Sequence, residues 1–407
     1  MSHLGSSLDI IVIGGGAAGF FSAVNAAEFH PNASVTILEK SNKLLQKVRI
    51  SGGGRCNVTH ACFDNSQLVR HYPRGEKELR SAFNKFTTAD TIEWFKKRNV
   101  ILKTEQDGRM FPITDDSETI ANCLLSAAEE LGVEIKLQMH VKEIIPGEMF
   151  TLVTDKGELH CDKLIIATGG NPNSASYDWL RKLGHTIIPP VPSLFTFNID
   201  DRELNKLMGI SVPKAKVKVV NSKLQAEGPL LITHWGLSGP AVLKASAWGA
   251  RQLNELRYDF KVQVDWLNKF KEEELREELF FQKENNAPKQ IVNTNPFEVP
   301  KRLWEYFLYK SEIKETTRWA DVNKKQINSL LQVLIYDEYP VKGKTSFKEE
   351  FVTCGGVSLK EIDFATMQSK KVPNLYFAGE ILDIDGITGG FNFQSAWTTA
   401  WIAAKNL

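Results

Sequence analysis

The chain has 407 residues, more than one hydrophobic core usually serves, so two or three domains are expected. Its net charge is +1 and its hydrophobic and charged fractions are 42% and 24%, the balance of a soluble globular protein. That balance offers no overall field for nucleic acid or an anionic membrane, and no nucleic-acid partner is expected, although a local basic patch stays open.

The chain opens on an apolar run, "LDIIVI", too short for a signal peptide and lacking a basic flank and a cleavage site. It reads as a parallel strand buried on both faces. Glycines follow, then the alanine-rich "AAGFFSAVNAAEF" as a helix, then "SVTILEK" as a second strand. Together these form a βαβ unit. Downstream, "TADTIEWFKKRNV" and "SETIANCLLSAAEELG" read as amphipathic helices, the second with Ser117 as a cap. "VEIKLQMHVKEII" and "FTLVTDKGELHCDKLIIAT" read as strands with a hairpin turn near Lys156 and Gly157.

Pro189, Pro190 and Pro192 mark a crossing between domains. From about Leu194 to Val262 the pattern alternates as antiparallel β structure does, and residues 266–330 turn polar and helical. After "KGKTSF" the chain becomes strand- and glycine-rich again and ends on the helix "NFQSAWTTAWIAAKN". The expected domains are residues 1–190 and 346–407 as two parts of one α/β domain, 191–265 with 331–345 as an inserted β-rich domain, and 266–330 as its helical subdomain.

Five cysteines (Cys56, Cys62, Cys123, Cys161 and Cys354) contain no Cys-x-x-Cys pair, which fits a reduced cytoplasmic compartment. No stretch approaches the ~20 apolar residues a bilayer span needs, so no membrane partner is expected.

Gly14-x-Gly16-x-x-Gly19 lies between the first strand and its helix. Gly14 permits the tight turn, Gly16 lets a pyrophosphate approach the backbone, and Gly19 lets the helix lie close to the strand. The helix N-terminus offers unpaired N–H groups to the phosphates. Glu39 ends the second strand, twenty residues beyond Gly19, where a carboxylate accepts both ribose hydroxyls. Strand, helix, second strand and acid at this spacing mean a dinucleotide; Glu39 opposes a 2′-phosphate, and FAD and NAD both stay open.

Two later features favour FAD. "LIIATGG" (Leu164 to Gly170) brings another strand end to the crevice with no second fingerprint after it. Gly389 and Gly390 precede a helix starting at about Asn392, whose N-terminus would favour the negative charge of a reduced flavin.

In order along the chain stand "DIIVIGGGAAG", "KVRISGGGRCNVT", "GRMFP", "THWGLSGPAVL", "TCGGVSLKEID" and "NLYFAGEILDIDGITGGFNFQSAW". Together they resemble the aminoacetone-oxidase/bile-acid-enone-reductase type of FAD-binding oxidoreductases, relatives of the succinate dehydrogenase/fumarate reductase flavoproteins. The resemblance implies an α/β fold: a Rossmann-like FAD domain interrupted by an inserted β-barrel-like module with a small helical subdomain. It also accounts for the three glycines Gly52, Gly53 and Gly54, placed so that backbone can lie against the cofactor, with Lys47 and Arg55 as nearby cations. A structural turn with solvent-facing basic residues is the plainer reading. By the same likeness Ala17, Ala18, Lys40, Val141, Thr168, Gly169, Gly379, Glu380, Gly390, Phe391 and Asn392 join the cofactor contacts, while Asp383 and Asp385 cap the loop. Cys354 reads as a small buried filler.

Cys56, His60 and Cys62, with His71 nearby, have the residue types for zinc without the spacing, and no metal is expected. His234 is the candidate proton donor, a satisfied structural histidine being the alternative. Ser238 in "GLSGP" lacks the second glycine of a hydrolase elbow. The expected activity is hydride transfer between a small amine or enone and flavin N5. NAD(P)H docking transiently, or oxygen, would be the other redox partner. A flavin-binding protein with a regulatory or partner-binding role is the alternative.

Overall fold

The computed structural model describes residues 8–345 and 352–407. The chain divides into two compact units, Met1–Ser193 with Lys348–Leu407, and Leu194–Phe347. The division after Ser193 falls three residues beyond the expected end at 190 (193 − 190). The return to the first unit falls within residues that the structure does not describe, as does the "SF" of "KGKTSF".

The first unit is built on a seven-stranded sheet. At its centre lies Asp9–Ile13, flanked by the parallel strands Lys163–Ile166 and Ser34–Leu38, with Leu375–Phe377 and Glu134–Lys136 parallel beyond them. Four of the five residues of the central strand are buried, as an apolar run covered on both faces should be. The register sets Ile13 beside Leu38 and Ile166, and Ile166 beside Phe377. Four parallel strands therefore end level, and in such a sheet ligands bind beyond the carboxyl ends where the strand order reverses.

The helices Ala17–Phe29 and Phe391–Lys405 pack together, with the Phe21 and Trp397 rings 5.1 Å apart. Both are buried nearly all round, with the polar Ser22, Asn25, Gln394, Thr398 and Thr399 among their buried residues. Asp90 and Thr87 cap the helix Thr88–Lys96 reciprocally. Ser117, expected as a cap, makes no capping bond; its hydroxyl donates to Arg49 O at 2.7 Å. The single strand expected over "VEIKLQMHVKEII" is two, Glu134–Lys136 in the large sheet and Val141–Ile145 in a separate hairpin sheet.

The second unit carries another seven-stranded sheet, with the helices Glu272–Asn285, Lys301–Lys310 and Lys324–Ile335 packed into one core with it. Its strands alternate buried and exposed residues, as in Ser211–Val219. The sheet begins at Asp337–Lys342 and ends at Lys344–Thr345, and no ladder among the described residues joins these edges. The expected barrel-like module is therefore an open sheet. Gly343 alone separates the two edges, its N–H donating to Tyr258 O and its carbonyl accepting from Asn198 N, so the sheet curls without closing a ladder. The helices Pro240–Trp248 and Ala250–Glu255 interrupt the stretch that alternation suggested was all β.

Candidate functional site: a dinucleotide crevice

The loops following the level strand ends hold most of the sequence-predicted residues. Gly14 takes φ +118°, and a Cβ there would lie 2.4 Å from Ala167 O. A Cβ on Gly19 would lie 1.8 Å from Gly14 O, so only glycine lets the helix sit on its strand. Gly16 is different. It begins the helix without a side-chain cap, and a Cβ on it meets nothing within 4 Å. The first helical N–H groups thus open onto unfilled space beside Ala17 and the buried Ala18.

Glu39 is held beside this turn. Gly15 N donates to its Oε2 and Ser41 N to its Oε1, both at 2.8 Å. Each oxygen keeps a further lone pair for a hydroxyl. Lys40 is exposed. Met139 N donates to Glu39 O at 2.9 Å, which brings the strand of Val141 to the same end of the sheet. Val141 itself is buried and paired with Thr154, so it offers backbone at most. Thr168 is exposed, and Gly169, at φ +72°, has open space where a Cβ would go.

The three glycines end a short helix, Gln46–Gly54, that breaks at Ser51. Gly52, Gly53 and Gly54 have φ of +59°, +71° and +85°, a left-handed path that a side chain disfavours. A Cβ on Gly52 would press on Phe111 at 2.8 Å, whereas Gly53 and Gly54 face open space. The two flanking cations part company. Lys47 donates to Glu380 Oε2 at 2.6 Å, joining two predicted residues from opposite ends of the chain. Arg55 is held by Glu105 at 2.6 Å and stacks over Phe111 at 3.9 Å.

At the C-terminal side, Gly379 takes φ +74° and donates its N–H to Thr399 Oγ1 at 2.9 Å. Gly390 precedes the last helix without a side-chain cap, and a Cβ on it would strike the Thr59 carbonyl at 2.5 Å. The helix begins at Phe391, one residue before the expected Asn392. Side chains strap the loop between them. Asp385, fully buried, pairs with Arg74 and accepts from Ser193 Oγ at 2.7 Å. Burial pushes the Asp385 carboxyl up, against Arg74 and Ser193. Asn392 exchanges hydrogen bonds with the Gly386 backbone at 2.8 and 3.0 Å, so its amide serves the loop. Tyr72 donates to Phe391 O at 2.6 Å.

Sequence reasoning placed Asp385 in the loop as a cap but missed its partner, because Arg74 is 311 residues away and stands in no motif. It weighed His60 and His71 only as metal ligands; their rings stack on Phe391 at 4.6 and 4.3 Å, His60 Nδ1 meeting Gly389 O at 3.0 Å. Cys56 is fully buried and its thiol is pushed up to about 12 by burial. No group of three metal-ligating side chains occurs among the described residues. Cys354 is buried opposite Val191. His234 belongs to the second unit, exposed in the turn before Gly236–Ser238, with Trp235 against its ring at 4.0 Å.

Open glycines at an uncapped helix N-terminus, a carboxylate with lone pairs to spare and a second uncapped helix at the same sheet end fit FAD. The protein is an FAD-dependent oxidoreductase, as its family and curated relatives show. The chain belongs to the family described as HI0933-like protein Rossmann domain, which matches residues 8–406. Among curated proteins it is 31% identical to a ribosomal RNA dihydrouridine synthase of Haemophilus influenzae, over 98% of each chain. It is 27% identical to a 3-dehydro-bile acid delta(4,6)-reductase of Clostridium scindens, over 97% of each. Among solved structures, 3-ketosteroid-delta4-(5alpha)-dehydrogenase from Rhodococcus jostii superposes with a TM-score of 0.51 at 12% identity, covering 99% of this chain and 98% of that one. That likeness is one of fold. No helix among the described residues is long and apolar enough to cross a membrane.

Proposed function

We propose that this protein reduces a carbon–carbon double bond conjugated to a carbonyl. Bound FAD supplies the hydride when reduced and accepts one when oxidised. The observation that carries the reading is the full-length match to two curated proteins whose names describe the same chemistry. Dihydrouridine is uridine with its conjugated 5,6 bond saturated, and a delta(4,6)-reductase saturates a conjugated dienone. The amine substrate expected from the resemblance has no counterpart in either name.

The chain's own residues bind and orient. Glu39 holds the ribose hydroxyls, and the N–H groups at Gly16 and Ala17 take the pyrophosphate. The backbone at Gly53 and Gly54 and the salt-bridged Lys47 and Glu380 border the cofactor. The N-terminus at Phe391 favours negative charge on the ring system, an effect of about 0.5–2 kcal/mol. NAD(P)H reduces the protein by transient docking, since no second glycine fingerprint follows "LIIATGG".

The identity to the synthase makes ribosomal RNA the first substrate to try, a partner that overall charge argued against. The reductase match makes a steroid enone the second. The test is anaerobic. The yellow protein is bleached with NADH or NADPH, then mixed with unmodified ribosomal RNA or a 4-en-3-one steroid, and the oxidised protein is mixed separately with aminoacetone. Return of the yellow colour with RNA or steroid supports the reading. Bleaching of the oxidised protein by aminoacetone while neither RNA nor steroid restores the reduced one, or no response to any of the three, overturns it.

A further inference from the structure

Four consecutive residues just beyond the glycine loop, Asn57 to His60, each reach the start of the last helix. The Asn57 amide, turned so that both its ends are satisfied, accepts from Gly390 N at 3.0 Å. Val58 O accepts from Trp397 Nε1 at 2.9 Å, and Thr59 Oγ1 donates to Gln394 Oε1 at 2.6 Å. His60 Nδ1 meets Gly389 O at 3.0 Å. The segment that leaves Gly54 and Arg55 is thereby tied, residue by residue, to the turn and helix that sequence likeness places at the other side of the cofactor.

Gln394 stands at the centre of this contact. Its backbone N–H donates to Gly390 O at 3.0 Å and so closes the first turn of the helix. Its side-chain oxygen accepts from Thr91 Oγ1 at 3.0 Å as well as from Thr59. Its Nε2 donates to Thr398 Oγ1 at 3.1 Å, which donates in turn to Phe86 O at 3.0 Å. Thr59, Thr91, Gln394 and Thr398 are all wholly buried.

A side chain needed only to fill this space could be a methionine, which has a similar volume and no polar atoms to satisfy. A buried amide is tolerated only where its partners are met, so a rotation or slide of the helix would leave several polar atoms unpaired at once. Such a network selects one register. We infer that Thr59 and Gln394 are positioning residues: they hold the N-terminus at Phe391 in the rotation and height that aim its N–H groups at the flavin ring system, where they favour the negative charge of the reduced form. The inference rests on the reading above that this N-terminus borders the cofactor.

The experiment poises the flavin-loaded protein against a reference dye and reads the ratio of reduced to oxidised flavin. Thr59→Val keeps the shape and removes the donor, Thr59→Ser keeps the donor, and Gln394→Met removes the amide. Ile120→Val, in the buried face of the helix Glu118–Glu130, serves as a destabilised control. At one dye potential the ratio should fall about two- to fivefold in Thr59→Val and Gln394→Met and stay at the wild-type value in Thr59→Ser and Ile120→Val. A wild-type ratio in Thr59→Val, or an equal fall in Ile120→Val, overturns the inference. A second measurement needs no flavin: backbone hydrogen exchange over residues 391–397 should quicken several-fold in Thr59→Val and not in Thr59→Ser. Unchanged exchange in Thr59→Val refutes the positioning role. A wild-type ratio no higher than that of free FAD refutes instead the reading that Phe391 faces the flavin, so the two failures are told apart.

Discussion

The two glycine turns that frame the crevice are held in opposite ways. At Gly14–Gly19 the backbone packs on backbone, with Gly14 O where a Cβ of Gly19 would go and Ala167 O against Gly14. Among the described residues, the side chain hydrogen-bonded to that turn is Glu39. The turn at Gly386–Gly390 is instead strapped by side chains: Arg74 on Asp385, Asn392 on Gly386, Tyr72 on Phe391. The first turn follows two adjacent buried strands that dictate its path. The second ends a loop that leaves the sheet after Phe377, and side chains fix it, the nearby Asn392 and the remote Arg74 and Tyr72. A short-range turn is made by leaving atoms out, and a long-range one by adding partners.

The largest expected effect breaks the strapped turn. Asp385→Ala leaves Arg74 without its buried partner and should cost about 3–5 kcal/mol. Urea unfolding should show this as a lowered midpoint, with flavin lost from the purified protein. An unchanged midpoint would show that the strap holds nothing. Gly19→Ala attacks the other turn. Its Cβ forces the helix off its strand, at about 1–3 kcal/mol, and the flavin-to-protein absorbance ratio should fall with it. If Gly19→Ala keeps a full complement of flavin, the backbone-on-backbone account is wrong.

Gly53→Ala separates conformation from contact. A Cβ there meets nothing, so only the left-handed backbone objects, at about 1–2 kcal/mol. Thermal unfolding without flavin should report that loss. A larger loss of flavin affinity than of stability would show that the open face of Gly53 is where the cofactor lies.

The smallest effect concerns a carboxylate outside both turns. Glu361 accepts from Thr186 N at 2.9 Å, contacts His185 Nδ1 at 3.1 Å and pairs with Lys371 at 2.8 Å. Burial pushes its carboxyl up, but Lys371, Thr186 and His185 outweigh that and bring it down to about 2. A carboxyl lowered on folding adds stability that is complete above its unfolded pKa of ~4.3 and is lost as pH falls towards the folded value. Glu361→Gln should therefore cost roughly 1 kcal/mol at neutral pH, and the gap to the wild type should close as pH falls from ~4.3 towards the folded value of about 2. A gap that stays constant on acidification would remove the charge from this account.

Much of the crevice was legible because its parts are local. Gly14, Gly16, Gly19 and Glu39 lie within one βαβ unit, where spacing along the chain fixes spacing in space. The glycines at 52–54 were legible as an anomaly, and their left-handed φ values give the reason. Arg55 was not legible in the same way: a cation beside glycines suggests a phosphate partner, but Glu105 and Asp115, brought alongside by the fold, hold it. The barrel expectation failed for a related reason. Alternation shows that strands are half-buried, whereas closure depends on whether two edges pair, and Gly343 carries the chain between them with no ladder formed.

By itself, the sequence determined that a parallel strand lies near the start of this chain, that a glycine turn with a nearby carboxylate follows it and that a second glycine turn opens the last helix. Those features depend on backbone conformations and periodicities that a few neighbouring residues impose. Only the tertiary structure decided that Arg74 and Tyr72 secure the second turn and that His60 and His71 gather on Phe391. Each of these is a contact between residues far apart in the chain, and sequence spacing carries no information about what folding brings to within a few ångströms.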